Sequence, residues 1–122
     1  MNRSKQYINL AIQEAEKSTH KHKMGAIIFK GKIIVSKGYN HSSKSVKSIT
    51  KEFCNRPGVI HAEVAAILSA KKDLKGYNIL VVRINNNGAL RLAKPCRYCV
   101  GYLKFVGIRH IYYSTNYEIK KL

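Results

Sequence analysis

The sequence predicts a single α/β domain, a mixed sheet of about five strands flanked by helices. Three observations carry this. Short apolar, β-branched runs alternate with stretches of helical period. No internal repeat or Gly/Pro/Ser-rich linker divides the 122 residues. That length suits one hydrophobic core, with sheet and helices covering one another.

The elements follow in order. Ile8, Ala11, Ile12 and Ala15 recur at i, i+3, i+4 and i+7, which predicts an amphipathic helix over 4–18 with Ser4 as N-cap. Ala26–Phe29 and Ile33–Val35 flank Lys30-Gly31-Lys32, which reads as a β-hairpin running on to Gly38-Tyr39-Asn40. Residues 41–58 form a polar, basic loop. His61 to Lys72 has the Ala, Leu and Ile content of a buried helix, stopped by Gly76. Ile79–Ile84 is a central strand, broken by Asn85-Asn86-Asn87-Gly88. Pro95 opens a helix in the way a first-turn proline does, and Gly107 closes it. Ile108–Tyr113 is the next strand, and Tyr117–Lys120 a short last one. Strand, helix and strand over 79–113 form a parallel crossover. The last strand follows too closely for a helix to intervene, so it pairs antiparallel.

Charge narrows the class. The chain holds 23 Lys+Arg against 6 Asp+Glu, a formal net charge of +17. Residues 1–60 contribute 12 basic and 3 acidic groups and 61–122 contribute 11 and 3, so the excess belongs to the domain and not to a tail. A field of this size attracts polyanions. The compositional alternative is AT-rich drift, since Lys, Ile, Asn and Tyr make up 48 residues; drift does not explain the scarcity of acids. With 45% hydrophobic residues the chain is not a disordered basic arm. No apolar run reaches membrane-spanning length, and the N-terminus lacks an apolar signal core. Three cysteines do not make a disulfide scaffold, so a reducing compartment is expected, cytoplasmic or a nuclear or viral factory.

The chemistry concentrates at two helix starts. Pro95-Cys96-Arg97-Tyr98-Cys99 places two cysteines on one helical face, and His61-Ala62-Glu63 stands thirty-five residues earlier. The positive end of a helix dipole favours thiolate, the form that binds zinc. Structural zinc sites close with four protein ligands, whereas catalytic sites keep three and an open position. Here three ligands, His61, Cys96 and Cys99, stand beside an acid two residues from the histidine. A Cys-x-x-Cys pair alone could be redox-active, but the context of a redox fold is missing.

At these residues the chain resembles the cytidine deaminase-like superfamily, whose zinc-dependent nucleobase deaminases carry H-x-E…P-C-x-x-C. The resemblance runs from the first helix to Tyr113 and implies a three-layer fold. It implies one zinc ion per chain on His61, Cys96 and Cys99, with Glu63 as proton shuttle. It further implies that Asn40 contacts a sugar and that the Ala62 N–H contacts the base. The implied reaction is hydrolytic: zinc-activated water attacks C4 of cytosine or C6 of adenine, and ammonia leaves. Within the superfamily a histidine first ligand resembles the deoxycytidylate, tRNA-adenosine and polynucleotide-cytosine branches. The short C-terminus resembles the free-nucleoside branch, and no branch matches at every position.

Phosphate is the common denominator of the nucleotide and nucleic-acid options. The expected contacts are Lys44, Lys47, Lys51 and Arg56 in the basic loop, with Arg97 at the pocket rim and His41 beside a phosphate. Tyr39, Tyr98 and Tyr113 are candidates for stacking on a base. The expected activity is conversion of cytosine to uracil on a phosphate-bearing substrate, single-stranded DNA or RNA ahead of a free nucleotide. Free cytidine or dCMP, and adenosine on tRNA, are the enzymatic alternatives. A non-catalytic zinc-stabilised nucleic-acid-binding module would not need Glu63, and a metal-free interaction domain would not need the ligand spacing. A homo-oligomer is compatible with the small size, and +17 per chain opposes it.

Overall fold

The computed structural model describes residues 2–42 and 59–122. Among the described residues, three helices and eight strands follow one another. They are α1 (Asn2–Glu16), β1 (Lys23–Lys30), β2 (Ile33–Tyr39), β3 (His41–Ser42) and β4 (Val59–Ile60). Then come α2 (Ala62–Ala70), β5 (Asn78–Ile84), β6 (Leu90–Arg91), α3 (Arg97–Phe105), β7 (His110–Ser114) and β8 (Ile119–Lys121).

The main sheet has the order β2-β1-β5-β7-β8, with β6 added beside β5. It is mixed: β5 and β7 run parallel, and every other pair is antiparallel, including the closing β7–β8 hairpin. The β5-α3-β7 crossover and the last hairpin are therefore as the sequence predicts. The sheet has six strands rather than about five because two-residue β6 pairs Arg83 with Arg91 and Ile84 with Leu90, a length below any periodic signal.

Period-2 alternation sorts the strands between two cores. Ala26, Ile28, Ile79, Val81 and Ile111 face α2 and α3. Ile27, Leu80, Val82 and Ile84 face Tyr7, Ala11 and Ala15 of α1. Both faces are covered, giving three layers. The helices approach closely because two strand positions lack a side chain. A Cβ on Gly25 would lie 2.2 Å from the Ala11 carbonyl oxygen, and one on Gly38 would lie 2.4 Å from the Ala66 nitrogen. Ser36 adds a buried hydrogen bond to the Ala66 carbonyl at 2.8 Å, fixing α2 on β2.

Some boundaries differ from expectation. The first helix starts at Asn2, ahead of Ser4. The second ends at Ala70, where Lys71 takes the left-handed conformation (φ +52°) usual for glycine, so Gly76 lies in the following turn. The third begins at Arg97 with Cys96 as its N-cap, leaving Pro95 just outside. Gly107 closes it at φ +90°, as expected. No helix among the described residues is long and apolar enough to cross a membrane.

Candidate metal centre

Two helix N-termini supply the donors. His61 is the N-cap of α2 and Cys96 the N-cap of α3, both with extended backbone (ψ 156° and 164°). Each carbonyl already accepts the first helical hydrogen bond, from Ala65 N–H (3.0 Å) and Val100 N–H (2.9 Å). Neither side chain folds back to cap its helix. Both lie instead where the positive ends of two helix dipoles meet. Cys99, one turn into α3, is fully buried, while Cys96 is exposed.

The ligand atoms of His61, Cys96 and Cys99 lie within 4.8 Å of one another, and His61 Nδ1 stands 3.1 Å from Cys99 Sγ. Around one tetrahedral zinc, with bonds of about 2.0–2.3 Å, neighbouring ligand atoms sit about 3.7 Å apart. The cluster is at that scale, and its two sulfurs and one imidazole nitrogen suit zinc. Among the described residues it offers three donors, which leaves one tetrahedral position for water or substrate. The domain is thus a zinc-binding one, held by the expected His and two Cys.

Glu63 is the second residue of α2, 2% exposed, in the first turn where the helix dipole favours an anion. Ala62, the first helical residue, is fully buried against the core. Asn40 approaches from the other side. The β3–β4 ladder pairs His41 with Ile60, which brings the chain at Asn40 toward His61. The Asn40 amide is heavily engaged. Its Oδ1 accepts from Met24 N–H (3.0 Å), and its Nδ2 donates to the His22 carbonyl (2.7 Å). Ser18 Oγ donates to the Asn40 carbonyl (3.0 Å). Asn40 therefore ties β2 to the start of β1, a job invisible in the sequence because its partners lie sixteen and eighteen positions away.

The remaining sequence candidates scatter. The rings of Tyr39 and His41 stand 5.4 Å apart on either side of Asn40. Tyr98 is exposed on α3 with the Arg97 guanidinium 5.2 Å from its ring centroid. Their side-chain hydrogen bond holds the Arg97 pKa above its ordinary value. Tyr113 is half-buried against the α2/α3 core. Lys44, Lys47, Lys51 and Arg56 lie outside the described residues. Arg83 is a charge within an apolar strand. It sits mid-strand in β5, and its guanidinium Nη2 meets His22 Nδ1 at 2.8 Å.

The sequence model of the cytidine and deoxycytidylate deaminase zinc-binding region matches residues 1–115. No curated protein matches the chain by sequence. Among solved structures, the apo dCMP deaminase of cyanophage S-TIM5 superposes with a TM-score of 0.70 at 22% identity, covering 96% of this chain and 86% of that one. A structure from work on A-to-I editing by tRNA:A34 deaminases gives 0.60 at 21% identity, covering 91% and 75%. The Thermotoga maritima diaminohydroxyphosphoribosylaminopyrimidine deaminase/reductase gives 0.58 at 20%, covering 90% of this chain and 28% of that chain. These structures share the fold of this chain.

Proposed function

Because the chain belongs to the zinc-binding cytidine and deoxycytidylate deaminase family, we propose that it hydrolyses the exocyclic amine of cytosine to give uracil and ammonia, on a substrate that carries phosphate. One observation carries the reading: buried Glu63 lies within one helical turn of a three-donor cluster whose fourth position is open.

Bound zinc supplies Lewis acidity and makes water acidic enough to react at neutral pH. The chain's own residues do the rest. His61, Cys96 and Cys99 hold the metal. The Glu63 carboxylate accepts a proton from the attacking water and delivers it to ring N3. Oxygen bonds to C4, Glu63 takes the remaining proton from that hydroxyl and passes it to the amine, and the C4–N bond breaks to leave the carbonyl and ammonia. Burial in the first turn of a helix suits a carboxylate that works as base and then as acid. In this reading the Ala62 N–H, at the start of α2, contacts the base.

The net charge of +17 supports single-stranded DNA or RNA ahead of a free nucleotide. The fold likeness to a dCMP deaminase keeps the free nucleotide as second reading. The test is a deamination assay on deoxycytidine, dCMP, a cytosine-containing DNA strand and an RNA strand. Glu63→Ala should lose turnover while keeping its zinc; activity persisting in that variant sinks the mechanism. Oligonucleotide turnover falling by powers of ten between low and moderate salt supports polynucleotide binding. Oligonucleotides left intact while dCMP is converted reject it.

A further inference from the structure

The guanidinium of Arg83 is an unlikely passenger in β5. Strand alternation puts it on the face of Val81, which packs under α2 and α3, and not on the α1 face of Val82 and Ile84. It lies beyond those helices, at the end of the sheet where both begin. On one side its cross-strand neighbour is Met24, on the other Arg91. Two arginines directly opposite one another repel. Among the described residues the one ion pair is Glu14–Lys17, so no described carboxylate neutralises either arginine. The Arg83 Nε is buried without a hydrogen-bond partner, while Nη2 is spent on His22 Nδ1 at 2.8 Å. A buried donor of a charged group left unmade costs several times what a surface one does.

The position relative to the metal centre follows from register. The β3–β4 ladder, His41 with Ile60, brings the chain at Asn40 toward His61, and Asn40 Oδ1 accepts the Met24 N–H. Met24 pairs with Arg83 on the next strand. His22, whose ring meets Arg83, gives its carbonyl to the Asn40 amide. Asn40, Met24 and Arg83 thus follow one another across three neighbouring strands, which sets Arg83 about 10 Å of backbone from Asn40, on the side away from the metal ligand. That is the order of parts in a nucleotide: base, sugar, phosphate.

We propose that Arg83, steadied by His22, is the phosphate-binding residue of this site and selects nucleotides over nucleosides. The inference rests on the cytosine-deaminase reading and adds the residue that recognises the phosphate. The planar fork of arginine matches two phosphate oxygens at once. The incoming anion supplies the counter-charge that Arg83 and Arg91 lack. The shared chemistry is the 5′-phosphate of the nucleotide whose base enters the pocket, as a free monoester or as part of a strand.

Calorimetry on the zinc-loaded chain tests it without relying on turnover, with dCMP, deoxycytidine and a short single-stranded DNA holding one cytosine. The wild type should bind dCMP at least ten-fold more tightly than deoxycytidine. Arg83→Gln should bring that ratio close to one, and Arg83→Lys, which keeps charge without the fork, should fall between. Lys72→Gln is the control for charge alone. Lys72 lies past the far end of α2, where its Nζ donates to the Tyr77 hydroxyl at 2.8 Å, and its variant should keep the wild-type ratio. If the strand also loses affinity in Arg83→Gln, the phosphate recognised is a diester; loss confined to dCMP makes it a monoester. A wild type with no preference for dCMP, or a preference surviving in Arg83→Gln, overturns the proposal. Should Arg83→Gln lose its zinc or melt early, Arg83→Lys decides by the same ratio. Failure of every cytosine substrate to turn over, with the binding ratio behaving as above, would refute the deaminase reading and leave the phosphate site standing.

Discussion

Replacing Gly38 with alanine should disturb the metal centre from behind. The added Cβ would lie 2.4 Å from the Ala66 nitrogen and 2.8 Å from both the Ala65 carbonyl carbon and its Cβ. Ordinary van der Waals contact begins at 3.4 Å, so the methyl falls about 1 Å short against backbone, which has no rotamer to escape into. Helix α2 must then lift by about that much. His61 and Glu63 ride on its first turn, while Cys96 and Cys99 belong to α3, so the histidine-to-cysteine span changes by a comparable amount. Zinc sites tolerate about 0.2 Å in ligand distance. Overpacking of this kind costs about 1–3 kcal/mol, or about 5–10 °C in Tm for a chain of this length. Zinc affinity should fall at least about ten-fold, the scale of lost ligand support. The assay is a thermal melt with zinc titration against a competing chelator. A Gly38→Ala protein that melts and binds zinc like the wild type would refute the claim that the metal centre depends on this close approach.

The matched perturbation lies on the other face. Gly25→Ala presses on Ala11 and Ala15 of α1 and should lower Tm by a similar amount while leaving zinc affinity near wild type; equal loss of zinc in both variants would remove the distinction. Cys99→Ser replaces a fully buried sulfur by a poorer ligand and should cut zinc content well below one equivalent, read by metal analysis. Chelation of the wild type should lower its Tm, because a ligand present at about 100 times its Kd contributes about 2.7 kcal/mol to the folded state; an unchanged melt would show that the metal does not couple to folding. Burial raises the Tyr102 pKa above its ordinary 10.0. The folded state therefore holds that proton after the unfolded chain has released it, and this contribution is intact below pH 10 and lost as pH rises beyond it. Tyr102→Phe should accordingly lose less stability than the wild type on alkaline titration above pH 10, measured by urea unfolding.

Local signals in the sequence were strong where chemistry and geometry coincide. His61 and Cys96 could be paired at a distance of thirty-five residues because each opens a helix, with Cys99 one turn further on, and helix starts leave recognisable punctuation. The β1–β2 hairpin was legible from the apolar runs on either side of Gly31, which takes φ +57° in the turn. What was not legible is whatever depends on a partner elsewhere in the chain. The two-residue strands β3, β4 and β6 exist only through their pairing. The hold of His22 and Met24 on the Asn40 amide is of the same kind. Arg83 carried no signal beyond being a charge in an apolar strand; the meeting of His22, Met24 and Arg91 around it needs the sheet order β1-β5-β6. Lys71 likewise takes the left-handed place that glycine usually fills at a helix end.

The two-residue β3–β4 ladder has a consequence for how such a protein changes over time. It fastens Ser42 to Val59 and His41 to Ile60, so the chain enters the zinc ligand His61 directly from a paired rung. Doubling the length of a segment closed in this way costs only about 0.6 kcal/mol. The ladder acts as a buckle: sequence can be inserted, deleted or exchanged beyond it without loosening the catalytic frame. New substrate contacts could then be tried beside an unchanged metal centre, and a designer seeking altered specificity has a natural place to cut.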